Sequence, residues 1–357
     1  MASWRLPGLV DVHVHLREPG GEHKEGFSSG SAAALAGGVT MVLDMPNTYP
    51  PIVNAQALDL KFRLARREAL CDVGFFVGAS ETNARQAADL AGQAAGLKIY
   101  LDQTYGPLRM RNLTALLAHF ETWPDSRPIA VHAEGLSAAM AIGLARCFGQ
   151  RLHLCHVSRA DEIGLIRAAK ESGAALTCEV APHHLFLTEA DAQRLGPYGS
   201  MMPPLGTEAD VAALWANLEI VDCIATDHAP HTQAEKEGPS PPPGVPGLET
   251  MLPLLLTAVA EGRLTRDRLV ELTHEAPRRI YDLPAQPETY VDVDPDARHT
   301  LSHTSQHTRC GWTPFEGASV QGRVRRVVLR GRTACQDGEI RVEPGFGRVV
   351  APAATKE

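Results

Sequence analysis

The chain has 357 residues, 44% apolar and 21% charged, enough for one large α/β barrel or two ordinary domains. Its formal net charge is −8 and no Lys/Arg block interrupts it, which argues against nucleic acid or a membrane surface as partner. Seven scattered cysteines, no signal-peptide pattern and no apolar run of transmembrane length predict a reducing, cytoplasmic setting without a disulfide framework.

β-branched and apolar runs predict strands at 9–14, 39–45, 73–77, 97–101, 129–132, 152–157, 176–180 and 223–226. Helical periods fall between them at 27–36, 55–68, 83–94, 113–120, 136–148, 161–171 and 210–218, then at 248–261 and 266–275. Strand followed by helix eight times over predicts a (β/α)8 TIM barrel across residues 1–282. An open doubly wound sheet is the alternative, but no Gly-x-Gly-x-x-Gly follows the first strand. The proline-rich segment 236–247 after the eighth strand is long enough to be functional. From 283 to 350 the pattern changes to short strands at 290–293, 320–322, 325–330 and 339–342, a small β appendage without helices. There Arg323, Arg325, Arg326, Arg330 and Arg332 alternate with Val and Leu like the solvated face of a strand. Residues 351–357 read as a disordered tail. The first barrel strand follows the N-terminus almost directly, as in a piece cut from a longer protein.

In such a barrel, chemistry sits at the C-terminal strand ends. Those ends carry His13 and His15, Asn47, His132, His156, and Asp227 with His228 and His231. His13 and His15 alternate along one strand and share a face, with Arg17 two residues on as a cation for an anionic substrate. Lys98 lies inside the fourth strand. A buried amine there has two readings: a neutral nucleophile for CO2, giving a carbamate that bridges two cations, or a lysine that snorkels or pairs with Asp227. On the first reading one Zn2+ takes His13, His15 and Asp227, and a second takes His132 and His156. Metal then acidifies water, Asp227 moves protons, and the chemistry is cleavage or closure of an amide-type bond.

The motifs HVHLREPG (13–20), MPNT (45–48), LKIYL (97–101), VHAE (131–134), CHV (155–157), CEVAPHHL (178–185) and ATDHAPH (225–231) resemble the dihydroorotases of the amidohydrolase superfamily. PPPGVPGLETMLPLLLTAV (241–259) and WTPFEG (312–317) resemble the animal pyrimidine-synthesis polyprotein, in which this domain is fused to carbamoyl-phosphate synthetase and aspartate transcarbamoylase. The resemblance implies reversible cyclisation of N-carbamoyl-L-aspartate to dihydroorotate with loss of water. It implies a carboxylated Lys98, zinc ligands His13, His15, His132, His156 and Asp227, and Asp227 as acid/base. Arg17, Asn47 and His231 become substrate contacts, with Pro243 meeting the ring through its backbone. Cys155 and Glu179 match ligands of a third zinc, although Cys155 also suits a small core position. Thr104 and Tyr105 match a flexible lid, where Tyr105 replaces a phenylalanine or simply packs. A homodimer, and fusion to or association with the two partner enzymes, are implied as well.

One position departs from the pattern. Met202 aligns with an arginine that grips the substrate, and methionine cannot make that charge-assisted contact. Ala276, where the family often has Asn, has no functional account. Two rival readings follow: a hydantoinase, dihydropyrimidinase or allantoinase, and a catalytically weakened dihydroorotase-like scaffold.

Overall fold

Strands that are apolar at nearly every position need cover on both faces, and a closed parallel sheet ringed by helices provides it. The computed structural model describes residues 3–352, so 353–357 of the expected tail lie outside the described residues. After β1 (Trp4–Pro7) come eight parallel strands: β2 (Leu9–Val14), β3 (Val39–Asp44), β4 (Asp72–Gly78), β5 (Gly96–Tyr100), β6 (Ile129–His132), β7 (Leu152–Leu154), β8 (Leu176–Val180) and β9 (Cys223–Ile224). They pair in chain order from β2 to β9. Leu97, Ile99, Ile129, Val131, Leu152 and Leu154 pack outward against the helices. Val10, Val12, Met41, Leu43, Phe76, Ala130 and Ala225 fill the barrel interior, with Tyr281 against Phe76.

The ring closes thinly. Between β9 and β2 there is a bridge from Val14 to His228, and the His15 N–H donates to the His228 carbonyl at 2.8 Å. Asp11 supplies the rest of the seam. Its buried carboxylate accepts from the Thr226 hydroxyl at 2.5 Å and from the N–H groups of Thr226 and His13, each at 3.1 Å. The β2–β3 register also slips: Asp11 faces Val42 and Val14 faces Asp44, three residues against two. This extra residue lets Val12 and His13, adjacent in sequence, both serve the barrel interior.

The helices answer the predicted periods, with two differences. The stretch expected to be helical at 83–94 is helical only over Ala84–Ala88. Asn83 turns its side chain to the Ser80 N–H and to the Val53 and Gly78 carbonyls, and Gly92 weakens any continuation. The helix beginning at Arg266 runs past 275 through a π turn (Glu271–Glu275) to Ile280. Pro277 has no N–H to give, and the wider turn absorbs that lack.

The second sheet is antiparallel, in the order β1, β10 (Tyr290–Thr300), β11 (Ser319–Leu329), β12 (Arg332–Gln336), β13 (Glu339–Ile340). Trp4–Pro7 therefore precedes the barrel as a strand of this sheet, a strand the residue pattern did not mark. Segments 320–322 and 325–330 belong to one strand, and a short 3-10 turn occupies His303–Ser305. Three of the alternating arginines are ion-paired: Arg325 to Asp294 at 2.9 Å, Arg326 to Asp292 at 2.7 Å and Arg330 to Asp72 at 2.5 Å.

Asp11→Ala leaves three buried donors at the seam without an acceptor. It should lower unfolding free energy by about 3 kcal/mol. Urea unfolding followed by tryptophan fluorescence measures this, and a change below about 1 kcal/mol would show that the seam does not depend on Asp11.

Candidate functional site

The strand ends deliver the predicted donors to one pocket. His13 comes from β2 and His132 from β6, while His15, His156 and Asp227 lie just beyond β2, β7 and β9. All five are at most 9% exposed. Ring centroids are 4.7 Å apart for His132–His156, 5.2 Å for His13–His156 and 5.4 Å for His13–His15. Arg17, His156 and Asp227 adopt φ of 63°, 37° and 45°. These left-handed values cost a non-glycine residue about 1–2 kcal/mol each, so surrounding packing must enforce them.

Hydrogen bonding fixes the tautomers. His13 Nδ1 meets a Glu179 oxygen, and His15 Nδ1 meets Asn47 Oδ1 at 2.7 Å. Asn47 points its amide nitrogen at the Tyr105 carbonyl, 3.0 Å away, so its oxygen is the atom facing His15. Both partners accept, so both Nδ1 atoms hold the proton; this is an assignment from the network. Each Nε2 is then a lone pair, and both face Asp227 Oδ1, at 3.3 Å from His13 and 3.1 Å from His15. Three acceptors converge with no donor among them. Burial, chiefly, pushes His15 down to about 4, so no imidazolium forms there at neutral pH.

The second pair behaves similarly. His132 Nδ1 lies 3.0 Å from His156 Nε2, leaving His132 Nε2 and His156 Nδ1 buried without hydrogen-bond partners. Burial first, then Lys98, lowers His132 to about 3. Donor atoms of His13, His156 and Asp227 lie within 4.8 Å of one another, and so do those of His13, Cys155 and Glu179. The donor chemistry and the orphaned nitrogens both fit divalent metal.

Lys98 is wholly buried, and its ammonium donates to Cys155 Sγ at 2.9 Å. Among the described residues it makes no ion pair with Asp227, and it does not snorkel to solvent. Glu179 sits between two imidazoles, His13 and His153, the latter 3.1 Å away. Burial would raise its carboxyl, but those imidazoles hold it well below the carboxylate range. His228 points elsewhere: its Nδ1 accepts from the Gly247 N–H at 3.1 Å and its Nε2 meets buried Glu25 at 3.2 Å.

A second cluster lies at the mouth. Arg17 is 6% exposed, donates to the Pro230 carbonyl at 3.1 Å, and has its Nη2 3.1 Å from His231 Nε2. Among the described residues it has no carboxylate partner. His231 Nε2 also lies 3.1 Å from the Pro243 carbonyl. Burial, with Arg17 and Lys24 beside it, holds His231 far below the ordinary imidazole range. The Tyr105 ring stands edge-on to His231 at 4.9 Å, with the Arg17 guanidinium 5.3 Å from its centroid. Thr104 is half-buried on the same loop. Met202 is 36% exposed, and its neighbour Pro203 accepts from His184 at 3.1 Å.

Sequence reasoning missed Lys24, His153, Asp11 and Tyr100. Lys24 is 4% exposed and bonds Glu235 at 2.8 Å, the Tyr105 hydroxyl at 3.0 Å and His231 Nδ1 at 3.1 Å. It sits in an irregular loop where no periodicity marks it. His153 and Tyr100 carried a signal, because each lies one or two strand positions from a predicted donor. Tyr100 is 3% exposed, with its hydroxyl unpartnered.

Comparison with known proteins places this geometry. Residues 4–233 match the model of the Amidohydrolase family. The chain is 55% identical over 97% of its length to the Multifunctional protein CAD of Squalus acanthias, of which it spans 16%. It is 35% identical to the dihydroorotase of Pyrococcus furiosus, covering 97% of this chain and 84% of that one. An L-hydantoinase from Arthrobacter aurescens superposes with a TM-score of 0.93 at 27% identity, over 98% of this chain and 89% of its own. An inactive dihydroorotase-like domain of a Chaetomium thermophilum CAD-like multifunctional protein gives 0.83 at 28%, over 98% and 99%. With the family model covering the barrel and a dihydroorotase matched over most of both chains, this chain belongs to the Amidohydrolase family and, within it, to the dihydroorotases.

Proposed function

We propose that the chain is a zinc-dependent dihydroorotase that interconverts N-carbamoyl-L-aspartate and dihydroorotate, a step in pyrimidine synthesis. The observation that carries this is the buried cluster of His13, His156 and Asp227, whose ligand atoms lie within 4.8 Å of one another, with His15 Nε2 3.1 Å from Asp227 Oδ1. His13, His15 and Asp227 would hold one ion and His132 and His156 a second, Lys98 as a carbamate would add a negative oxygen ligand, and Cys155 with Glu179 would serve a third ion. Bound metal supplies Lewis acidity and a more acidic water.

The residues of this chain do the remainder. Asp227 accepts the proton released on ring opening and returns it on closure. Arg17 pairs with the substrate carboxylate, and neutral His231 orients beside it. The Asp102–Gly106 loop covers the mouth, tied by the Tyr105 carbonyl to Asn47 and by the Tyr105 hydroxyl to Lys24. Ring closure turns a dianion into a monoanion and consumes a proton, so acid pH favours it. Among the described residues no helix is long and apolar enough to cross a membrane. The multifunctional relative supports work in fusion or association with carbamoyl-phosphate synthetase and aspartate transcarbamoylase. A homodimer follows from the resemblance. A hydantoinase or an inactive scaffold is the rival, and the complete donor set with its carboxylate-seeking arginine favours the active dihydroorotase.

The deciding experiment measures zinc content and turnover of dihydroorotate against hydantoin. Absence of bound zinc, or faster turnover of hydantoin, would sink the proposal. Arg17→Ala should lower kcat/KM for dihydroorotate about 100-fold with zinc content unchanged, as expected for a lost charge-assisted bond. Met202→Arg should lower KM about tenfold; an unchanged KM means position 202 is not a missing contact. Tyr105→Phe keeps the ring and removes the bond to Lys24. It should raise KM about threefold, and an unchanged value would deny that tie a role in closure.

A further inference from the structure

Lys236 ends a short helical turn (Gln233–Lys236) before the proline-rich loop, and is fully buried. Its ammonium donates to three carbonyls: Ser200 and Pro242 at 3.0 Å and Gly244 at 3.2 Å. It also lies 5.3 Å from the Trp312 ring centroid. Among the described residues no carboxylate pairs with it. Burying an unpaired ammonium is costly, and an apolar side chain would fill the same space more cheaply. Stability alone therefore does not explain its presence.

Position does. The Ser200 carbonyl belongs to the segment carrying Met202 and also accepts the Gly244 N–H at 2.9 Å. Pro242 and Gly244 flank Pro243. Gly244 has φ +133°, and a Cβ there would lie 2.4 Å from the Ala229 carbonyl, so the backbone at this point is tightly prescribed. Trp312, from the loop between β10 and β11, donates its indole N–H to the His231 carbonyl at 2.7 Å. Three segments that carry His231, Pro243 and Met202 thus meet around one ammonium.

We infer that Lys236 is a positioning residue for substrate: its three hydrogen bonds fix the proline-rich loop against the 199–205 segment and so set where His231 and the Pro243 carbonyl stand. The substrate roles of His231 and Pro243 rest on the function proposed above. The positioning itself does not. Burial lowers the Lys236 ammonium to about 8. The titratable groups around it are His231, Glu235, Glu237, Tyr198 and Cys310. His231 lies far below neutrality, Glu235 is at about 2, and burial raises Cys310 to about 11 and Tyr198 to about 12. Deprotonation of Lys236 leaves two N–H groups for its three carbonyls and removes the charge, so the grip weakens as pH rises through about 8.

The test uses the zinc-loaded full chain and Lys236→Met. The variant should raise KM for dihydroorotate about tenfold, with kcat within about twofold and zinc unchanged. In the parent, KM should climb above pH about 8, and the Trp312 fluorescence component, isolated with Trp312→Phe, should titrate with the same midpoint. Both trends should vanish in Lys236→Met. A KM within twofold of the parent, or superimposable Trp312 profiles, overturns the inference. If Lys236→Met does not fold, a flat parent KM and flat Trp312 signal from pH 7 to 9.5 overturns it equally. A parent that ignores dihydroorotate fails the functional proposal, and the Trp312 titration then still decides the role of Lys236.

Discussion

Buried acceptors crowded about the Asp227 carboxylate are the constraint on which the rest depends. Asp227 Oδ1 faces the lone pairs of His13 Nε2 and His15 Nε2, and is repelled by both unless a cation lies nearby. They cannot turn away, because Glu179 and Asn47 grip the opposite nitrogens of the two rings. A constellation held this tightly in an unfavourable state is organised for a ligand, and the ligand must be positive.

The same constraint explains where the barrel departs from regularity. The extra residue in β2 aims His13 inward after Val12, and left-handed backbone aims His156 and Asp227. The seam between β9 and β2 is thin in backbone pairing and relies on Asp11. Yet this is the seam that carries His13, His15 and Asp227. A cation held there would tie together the two strands whose pairing is weakest, so metal binding and fold stability are coupled.

Much of this was legible in the residues. Eight alternating strand and helix patterns gave the barrel, because fully buried parallel strands leave near-continuous apolar runs. Donor types at the strand ends were legible because the barrel reserves those positions for polar groups. What escaped has physical reasons. Trp4–Pro7 is a short edge strand with no alternation of its own, and only its distant partner Tyr290–Thr300 makes it a strand. Segment 83–94 looked helical by period, but Asn83 is used by the loop beside it. Lys24 lies in an irregular loop and Lys236 at the end of a four-residue helical turn, and only tertiary structure shows what their ammonium groups meet.

The buried cations Lys24, Lys236 and Arg17 differ in what answers their charge. Lys24 has its charge answered by Glu235, and Lys236 is surrounded by carbonyls. Arg17 differs from both. It is buried, it meets a neutral carbonyl and a neutral imidazole, and among the described residues no carboxylate is in ion-pair contact with it. Desolvation without an anion works against its charged form, as the lowering of its pKa reflects. A substrate carboxylate would relieve that penalty when it binds. Among these cations, Arg17 is the one that has most to gain from an anion.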